Sequence, residues 1–524
     1  MSEESPQSNR SSQSNRSLLK STGVVSAMTM LSRILGLVRD IVFATFFGAG
    51  SSTDAFFVAF KIPNFFRRLV GEGAFAQAFV PVLTHYQQTK SDLEVRALVA
   101  ATSGTLGALL LLVMLVGIVA APVWIWLFAP GFHQMPEKMR LASDLLQLTF
   151  PYLPCIALVA LCGSALNTKQ HFLAPAISPV ILNVVLITAA MGFSKQLEQP
   201  VMALGWGVVI AGCLQLALQL PFMANHNLLV LPKWQWSHPG VVRIRELMLP
   251  AIFGVSVSQI NMLLDTVLAS FLADGSVSWL YYADRLMELP LGVFGIAIAT
   301  VILPKLSKDH VSESPEVFSK TLDWGLQWVL LLGMPAAAAL ILLAEPIIAC
   351  LFYRGAFEEN DVMQSAAALR AYGVGVLAFM LVKVLAPGFF ARQDTKTPVG
   401  IAVKAMVVNM VFSLLLIWPL AHAGLALGTV LAAICNAVLL WRGLVTSGVY
   451  QSDFAWPVFL TKLVGACILM LLALWWLFPE EPVWLLGDVW ARAFLMARWV
   501  IVGLAVYLLT LYLLRIPQQL IAKA

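Results

Sequence analysis

Twelve ionisable residues interrupt otherwise apolar stretches of this chain. Arg33, Arg39 and Asp40 lie in one stretch, and Asp54, Lys61, Arg67, Arg68 and Glu72 in the next. Asp284, Arg285 and Glu288 share a third stretch and Lys383 a fourth. A charge at the centre of a bilayer costs about 2.5–3.5 kcal/mol on the most lenient scale. If these stretches span a membrane, such groups must therefore face water or one another. Asp54, Lys61 and Arg68 recur every seven residues, a spacing that drifts only about 20° per heptad around a helix and predicts a shared face. Asp284 and Glu288 stand four apart, one helical turn, with Arg285 beside them. The seven basic groups (Arg33, Arg39, Lys61, Arg67, Arg68, Arg285, Lys383) outnumber the five acidic ones (Asp40, Asp54, Glu72, Asp284, Glu288). Such a surplus suits an anion, above all a phosphate or pyrophosphate gripped by planar guanidinium forks. The competing reading is an ion-pair network that locks the fold, strongest for Asp40, Glu72 and Asp284. Arg39, Arg68 and Glu72 can also snorkel to a water boundary.

A smaller polar set comprises Asp265, Asn409, Ser413 and Thr429. One carboxylate with amide, hydroxyl and carbonyl oxygens could hold Na⁺, a hard cation that takes oxygen ligands. Interhelical hydrogen bonding accounts for the same residues equally well. Pro63, Pro290 and Pro387 fall inside apolar spans and can kink them, and Gly48-Ala49-Gly50 is a candidate hinge. The six cysteines (Cys155, Cys162, Cys213, Cys350, Cys435, Cys467) form no CxxC pair and no cluster with histidine, so they read as small core hydrophobes rather than a disulfide or metal framework.

The elements that must position these groups follow from composition. Of 524 residues, 60% are hydrophobic and 12% charged, and mean hydropathy is +0.84. A soluble domain carries about 25% charge, so the expected fold is an all-α polytopic membrane protein. About fourteen helices of roughly 20 residues are expected, over 21–48, 53–84, 102–128, 142–166, 173–193, 201–222, 247–272, 277–303, 322–345, 362–390, 398–418, 423–441, 457–478 and 491–514. The polar segment 1–17 reads as a disordered cytoplasmic tail. It is no signal peptide, because Arg33 and Arg39 interrupt the apolar run that follows. Loops on one side hold about seventeen Lys and Arg, among them Arg10, Arg16, Lys20, Lys90, Lys308, Arg442 and Lys523; the other side holds about five, Lys138, Arg140, Lys195, Arg354 and Arg492. The positive-inside rule then puts both termini in the cytoplasm. Net charge of +5 is explained by those loops and implies no nucleic acid.

The chain also resembles itself at an offset of 223. Pro81 falls on Pro304, Lys169 on Arg392, Pro175 on Pro398, and the ALG ending at Gly205 on the ALG ending at Gly428. An offset spanning six helices keeps the membrane orientation, so two parallel six-helix repeats are expected, a transporter architecture with a central site. The expected lobes are 18–223 and 224–446. Residues 447–524 supply two further helices, almost uniformly apolar, which either form a groove for a lipid tail or buttress the second lobe.

Four segments carry a family resemblance: SRILGLVRD (32–40), DAFFVAFKIPNFFRRLVGEGAFAQAFVP (54–81), YYADRLMELPLGVFGIAIATVILPKLS (281–307) and APGFFARQDTKTP (386–398). They closely resemble the MurJ (MviN) family of lipid II flippases, within the multidrug/oligosaccharidyl-lipid/polysaccharide exporter superfamily, from Leu18 to the C-terminus. The resemblance implies a cationic cavity lined by the spans 21–48, 53–84, 247–272 and 277–303, with a tail groove formed by the last two. By motif, transport residues fall on Arg33, Arg39, Arg67 and Arg285, with Asp54, Asp284 and Glu288 as acidic partners; Lys61, Arg68 and Lys383 join them from the charge argument. The expected function is movement of lipid II, an undecaprenyl-pyrophosphate-linked disaccharide-peptide, from the cytoplasmic to the periplasmic leaflet by alternating access. Na⁺, H⁺ or the membrane potential could drive it, with membrane lipids and cell wall synthesis proteins as partners. The alternative is an exporter of another polyprenyl-linked glycan or of drugs. No metal, nucleophile or large catalytic loop suggests an enzyme.

Overall fold

The computed structural model describes residues 6–68, 74–311, 315–478 and 483–516. Glu72, Lys523 and the side chains of Arg10, Arg16, Lys20 and Lys308 lie outside the described residues. Among the described residues every regular element is helical. In chain order the α-helices are α1 (Pro6–Phe47), α2 (Ser51–Phe66), α3 (Phe75–Thr89), α4 (Asp92–Val119), α5 (Ala121–Phe128), α6 (Pro136–Thr149), α7 (Tyr152–Thr168), α8 (Leu173–Gly192), α9 (Met202–Asn225) and α10 (Pro239–Ala269). The second series is α11 (Ser276–Pro290), α12 (Ile296–Val311), α13 (Pro315–Leu342), α14 (Ala344–Phe352), α15 (Glu359–Phe390), α16 (Lys396–Thr446), α17 (Trp456–Trp476), α18 (Val483–Leu486) and α19 (Val489–Leu513).

Several boundaries differ from the sequence expectation. The segment 6–17, expected to be disordered, is helical backbone continuous with α1. Pro6 suits a first helical turn, and no glycine or proline follows before Gly23 to end it. The span expected at 102 begins at Asp92, because Ser91 and Glu94 form a reciprocal capping box. It breaks at Ala120, two residues before Pro122. The span expected over 277–303 bends where Pro290 passes into a π-helical turn, Leu291–Gly295. A proline removes one backbone hydrogen bond, and the wider turn accommodates that loss. The spans expected over 398–418 and 423–441 run on as α16 across a kink at Ala421 (φ 47°, ψ −129°).

Ten helical stretches among the described residues are long and apolar enough to cross a membrane. Their burial differs sharply. The apolar window within Pro136–Thr168 is 67% buried, whereas those of Lys396–Thr446 and Val489–Leu513 are 22% buried. The first is a core element; the others present Val407, Leu415, Ile501 and Leu508 outward. An outer surface that is this apolar fits lipid as solvent. It also explains the cysteines: Cys162 and Cys467 are buried as expected, whereas Cys213 is exposed, since apolar residues need not be internal here.

The chain divides into two compact units, one comprising 1–47 and 51–263, the other 48–50 and 264–524. This packing division lies 40 residues beyond the repeat boundary expected at 223/224. The segment after α9 returns to α4, where Lys233 N–H donates to the Ala100 carbonyl (2.8 Å) and Gln235 N–H to Thr105 Oγ1 (3.3 Å). In the first unit α1 packs on α8, α2 on α6, and α9 on both α7 and α8. In the second, α15 is central, packing on α11, α13 and α16, while α17 and α19 pack on each other and on α13 and α14. The offset of 223 reappears in the elements. It carries α4 onto Pro315–Leu342 and α5 onto 344–351, and Gln170 (φ 59°) onto Gln393 (φ 61°), two non-glycine residues in the left-handed region.

Candidate functional site

In the first unit the charges on α1 and α2 separate into two environments. Arg39 is 6% and Asp40 1% exposed. Arg39 donates to Asp40 Oδ1 through Nε (2.9 Å) and Nη2 (2.7 Å), and to Asn183 Oδ1 on α8 through Nη1 (3.1 Å). Asn183 Nδ2 in turn donates to the Ser32 carbonyl (3.0 Å). This knot ties α1 to α8 and holds the Arg39 fork within the protein. Asp54 is likewise sequestered, accepting from Lys138 Nζ of α6 at 2.9 Å with both side chains buried, and the ammonium lies over the Phe132 ring. The sequence reading expects Lys138 to be an outer-loop cation; instead it stands in the first turn of α6, with its side chain buried.

Arg33, Arg67 and Arg68 are placed differently. Together they line a cavity of about 960 Å³ within the first unit, with Tyr152, Ser164 and Asn167 of α7, Ser178 and Pro179 of α8, and Gln215 and Gln219 of α9. Among the described residues no carboxylate lines it. Arg33 and Arg67 are half-buried and Arg68 is exposed. Arg67 is held by Asn64 Oδ1 (3.0 Å), itself part of the α2 turn through a bond to the Phe60 carbonyl. Both arginines follow Pro63, where the helix opens into a π-turn at 67–68. The heptad spacing of Asp54, Lys61 and Arg68 does not produce one site: seven residues advance about 10 Å along a helix, so Asp54 pairs at one depth while Arg68 reaches the cavity at another. Lys61 is half-buried between them.

The second unit holds the other charged set on α11 and α15. Arg285 donates to Glu288 Oε2 (3.1 Å) and, through Nε, to Tyr281 Oη (3.4 Å), with the guanidinium over the same ring. The pair is 39% and 50% exposed, so it is wet and exchangeable. Asp284 is half-buried and Lys383 is exposed. Tyr372, buried on α15, lies within electrostatic reach of Asp284, Asp265 and Glu288.

The four residues of the smaller polar set meet. Asn409 Nδ2 donates to Asp265 Oδ1 (3.1 Å), Thr429 Oγ1 to Asp265 Oδ2 (3.1 Å), and Ser413 Oγ to Asn409 Oδ1 (3.2 Å). Asn409 and Ser413 are fully enclosed. The close approach depends on Gly428, where a Cβ would fall 2.4 Å from Ser413 Oγ. The set combines one carboxylate with amide and hydroxyl oxygens, a donor chemistry that fits Na⁺.

The last helices line an apolar cavity of about 570 Å³ with α13, including Trp328, Leu331, Leu474, Trp499 and Leu504. Tyr507 fixes α19 there by donating to the Leu331 carbonyl (2.6 Å).

Residues 43–495 match the family described as lipid II flippase MurJ. A Vibrio cholerae protein described as "Probable lipid II flippase MurJ" is 49% identical over 504 residues, covering 95% of this chain and 96% of that protein. The solved structure of a lipid II flippase MurJ in an inward closed conformation superposes with a TM-score of 0.77 at 27% identity, covering 93% of this chain and 97% of that one. An inward-facing multidrug transporter of the MATE family superposes at 0.63 with 14% identity, covering 82% of this chain and 99% of that one, a likeness of fold alone.

Proposed function

This chain belongs to the lipid II flippase MurJ family, and from that premise we propose that Arg33, Arg67 and Arg68 hold the pyrophosphate of lipid II during its passage across the membrane. The protein is a transporter rather than an enzyme, a multi-pass protein of the bacterial inner membrane whose substrate is lipid II and whose work serves peptidoglycan synthesis. The observation that carries the arginine assignment is the cavity of the first unit, lined among the described residues by three guanidiniums and no carboxylate. A pyrophosphate offers oxygens in the planes that guanidinium forks match, and each such bond is charge-assisted.

The same reading sorts the remaining charges. Arg39 with Asp40 and Asn183, and Asp54 with Lys138, act as positioning pairs that hold α1 and α2. Arg285 is an exchangeable cation, able to leave Glu288 for substrate, and Asp284 and Lys383 add to the charge of its own unit, as Lys61 adds to that of the first. The apolar cavity of α13, α17 and α19 suits the polyprenyl tail. The Lys and Arg asymmetry supports cytoplasmic termini, and alternating access supplies a route from the cytoplasmic to the periplasmic leaflet.

Asp265, Asn409, Ser413 and Thr429 would hold Na⁺, which when bound would supply charge neutralisation to Asp265. The hydrogen bonds these residues now share would then be exchanged for oxygen–cation contacts. Na⁺ in place of K⁺ is expected to raise the melting temperature of the purified protein, and Asp265→Ala to abolish the difference. An equal response in the variant would remove the ion from this account.

The arginine assignment is tested by lipid II binding to the purified chain. Arg33→Ala and Arg67→Ala are expected to weaken it at least tenfold, about 1.4 kcal/mol, with unchanged melting temperature. Affinity retained in both variants would refute the assignment.

A further inference from the structure

We propose that Gln215 and Gln219 on α9 read the uncharged sugar–amide portion of the headgroup, so that the first unit's cavity distinguishes a glycan-bearing polyprenyl pyrophosphate from a bare one. The inference rests on the reading of that cavity given above and adds a second set of contacts to it.

Gln215 and Gln219 stand one helical turn apart on one face of α9 and are 2% and 0% exposed. Both line the cavity that holds Arg33, Arg67 and Arg68. Gln215 Nε2 donates to the Ser178 carbonyl (2.6 Å), and Gln219 Nε2 lies 3.4 Å from Ser178 Oγ. A backbone carbonyl only accepts, so this bond fixes the Gln215 amide with its Oε1 turned the other way. Neither Gln215 Oε1 nor Gln219 Oε1 has a donor among the described residues. The Gln215 Oε1 is a buried amide oxygen without a donor, an expensive wall for a merely structural helix contact, and the Gln219 amide, whose hydroxyl partner Ser178 can donate or accept, leaves one end unpartnered in either orientation.

The ligand that satisfies Gln215 Oε1 must bring N–H or O–H groups. A bare pyrophosphate is almost wholly an acceptor and gains nothing from amide oxygens. Acetamido, hydroxyl and peptide groups are donors, and they are what distinguishes a glycan–peptide headgroup. At about 960 Å³ the cavity also lies near the top of the range, about 300–1,000 Å³, in which ligand pockets fall. Arginines therefore hold what all polyprenyl pyrophosphates share, and the glutamines hold what only the glycosylated ones carry. A site built to hydrogen-bond a ligand rejects analogues lacking the partner groups more strongly than an apolar site can.

The test uses the full-length protein in lipid nanodiscs, with lipid II and undecaprenyl pyrophosphate as two probes. Gln215→Leu, Gln219→Leu and the unbranched Gln215→Met are expected to weaken lipid II binding about tenfold and to leave undecaprenyl pyrophosphate within twofold. Retained binding of the second probe also certifies that the variants are folded. Arg33→Ala is expected to weaken both probes. Glutamine variants that lose both probes equally, or neither, overturn the inference while the flippase reading stands. A wild-type protein that binds neither probe overturns that reading, and this inference with it.

Discussion

At Asp54 the carboxylate meets Lys138 Nζ at 2.9 Å, with both side chains at most 4% exposed. Removing one partner of such a pair leaves an uncompensated buried charge, at a cost of about 3–5 kcal/mol. Lys138→Met should therefore destabilise the purified protein by that order in an unfolding measurement, and Asp54→Leu with Lys138→Met should lose less than the single variant. A double variant as unstable as the sum would show that the two residues act apart. Histidine chemistry gives a prediction outside the spans. His171, in the turn between α7 and α8, packs against Phe222 and His226, and burial first, then the neighbouring imidazole, push its pKa below the usual 6.5. The folded state thus binds fewer protons than the unfolded state below that pH. Its contribution is full above the unfolded pKa and is lost as pH falls through the folded one. Melting temperature should fall between pH 7 and pH 5, and His171→Phe should flatten the slope; an unchanged slope would refute this. The sequence made the bilayer charges conspicuous by their cost, but it could not say which were paired. Lys138 looked like a loop cation because its partner is 84 residues away, and Asn183, Gln215 and Gln219 look like ordinary polar residues until the helices carrying them are packed.

At the scale of elements, the turn between α1 and α2 shows how a backbone requirement can fix a connection. Gly48 has φ +65°, and a Cβ there would fall 2.3 Å from the Ala356 carbonyl oxygen. Tyr282 Oη also donates to the Gly48 carbonyl (3.2 Å). The left-handed backbone alone costs a non-glycine residue about 1–2 kcal/mol, so Gly48→Ala should destabilise by at least that much. Gly50→Ala, with nothing within 4 Å of its new Cβ, should be close to neutral. Equal melting temperatures for the two variants would contradict this account of the turn. The Gly48-Ala49-Gly50 motif was legible as a special place; which of its glycines matters was not, because that depends on a contact from 308 residues away. Prolines behaved similarly. Pro290 marked a break in its span, yet the π-turn that absorbs it, Leu291–Gly295, follows from the surrounding packing. The break at Ala120 lay inside an apolar run with only Pro122 to signal it.

Across the whole molecule, the repeat at 223 is a repeat of scaffold and not of chemistry. Lys61 in the first series corresponds to Asp284 in the second, and Lys138 to Asp361. Arg39 and Asn183 correspond to Met262 and Met406, while Asp265 and Asn409 correspond to Val42 and Leu186. Each unit therefore carries its own polar site: three guanidiniums beside a polar wall in the first, and the Asp265 cluster with the Arg285–Glu288 pair in the second. The all-helical, membrane-spanning character was readable because lipid imposes length and apolarity on every span. The packing boundary near 263 was not, because it falls inside α10 and follows from how helices pack rather than from a break in the sequence. The central claim, that the first unit's arginines carry the pyrophosphate of lipid II, is tested most directly in cells depleted of their own flippase. These would be supplied with this protein or with its Arg33→Ala form at equal abundance, and lipid II in the outer leaflet measured with an externally added probe. The account predicts exposure restored by the wild type and reduced at least tenfold by the variant. Full exposure with Arg33→Ala and with Arg67→Ala would contradict it.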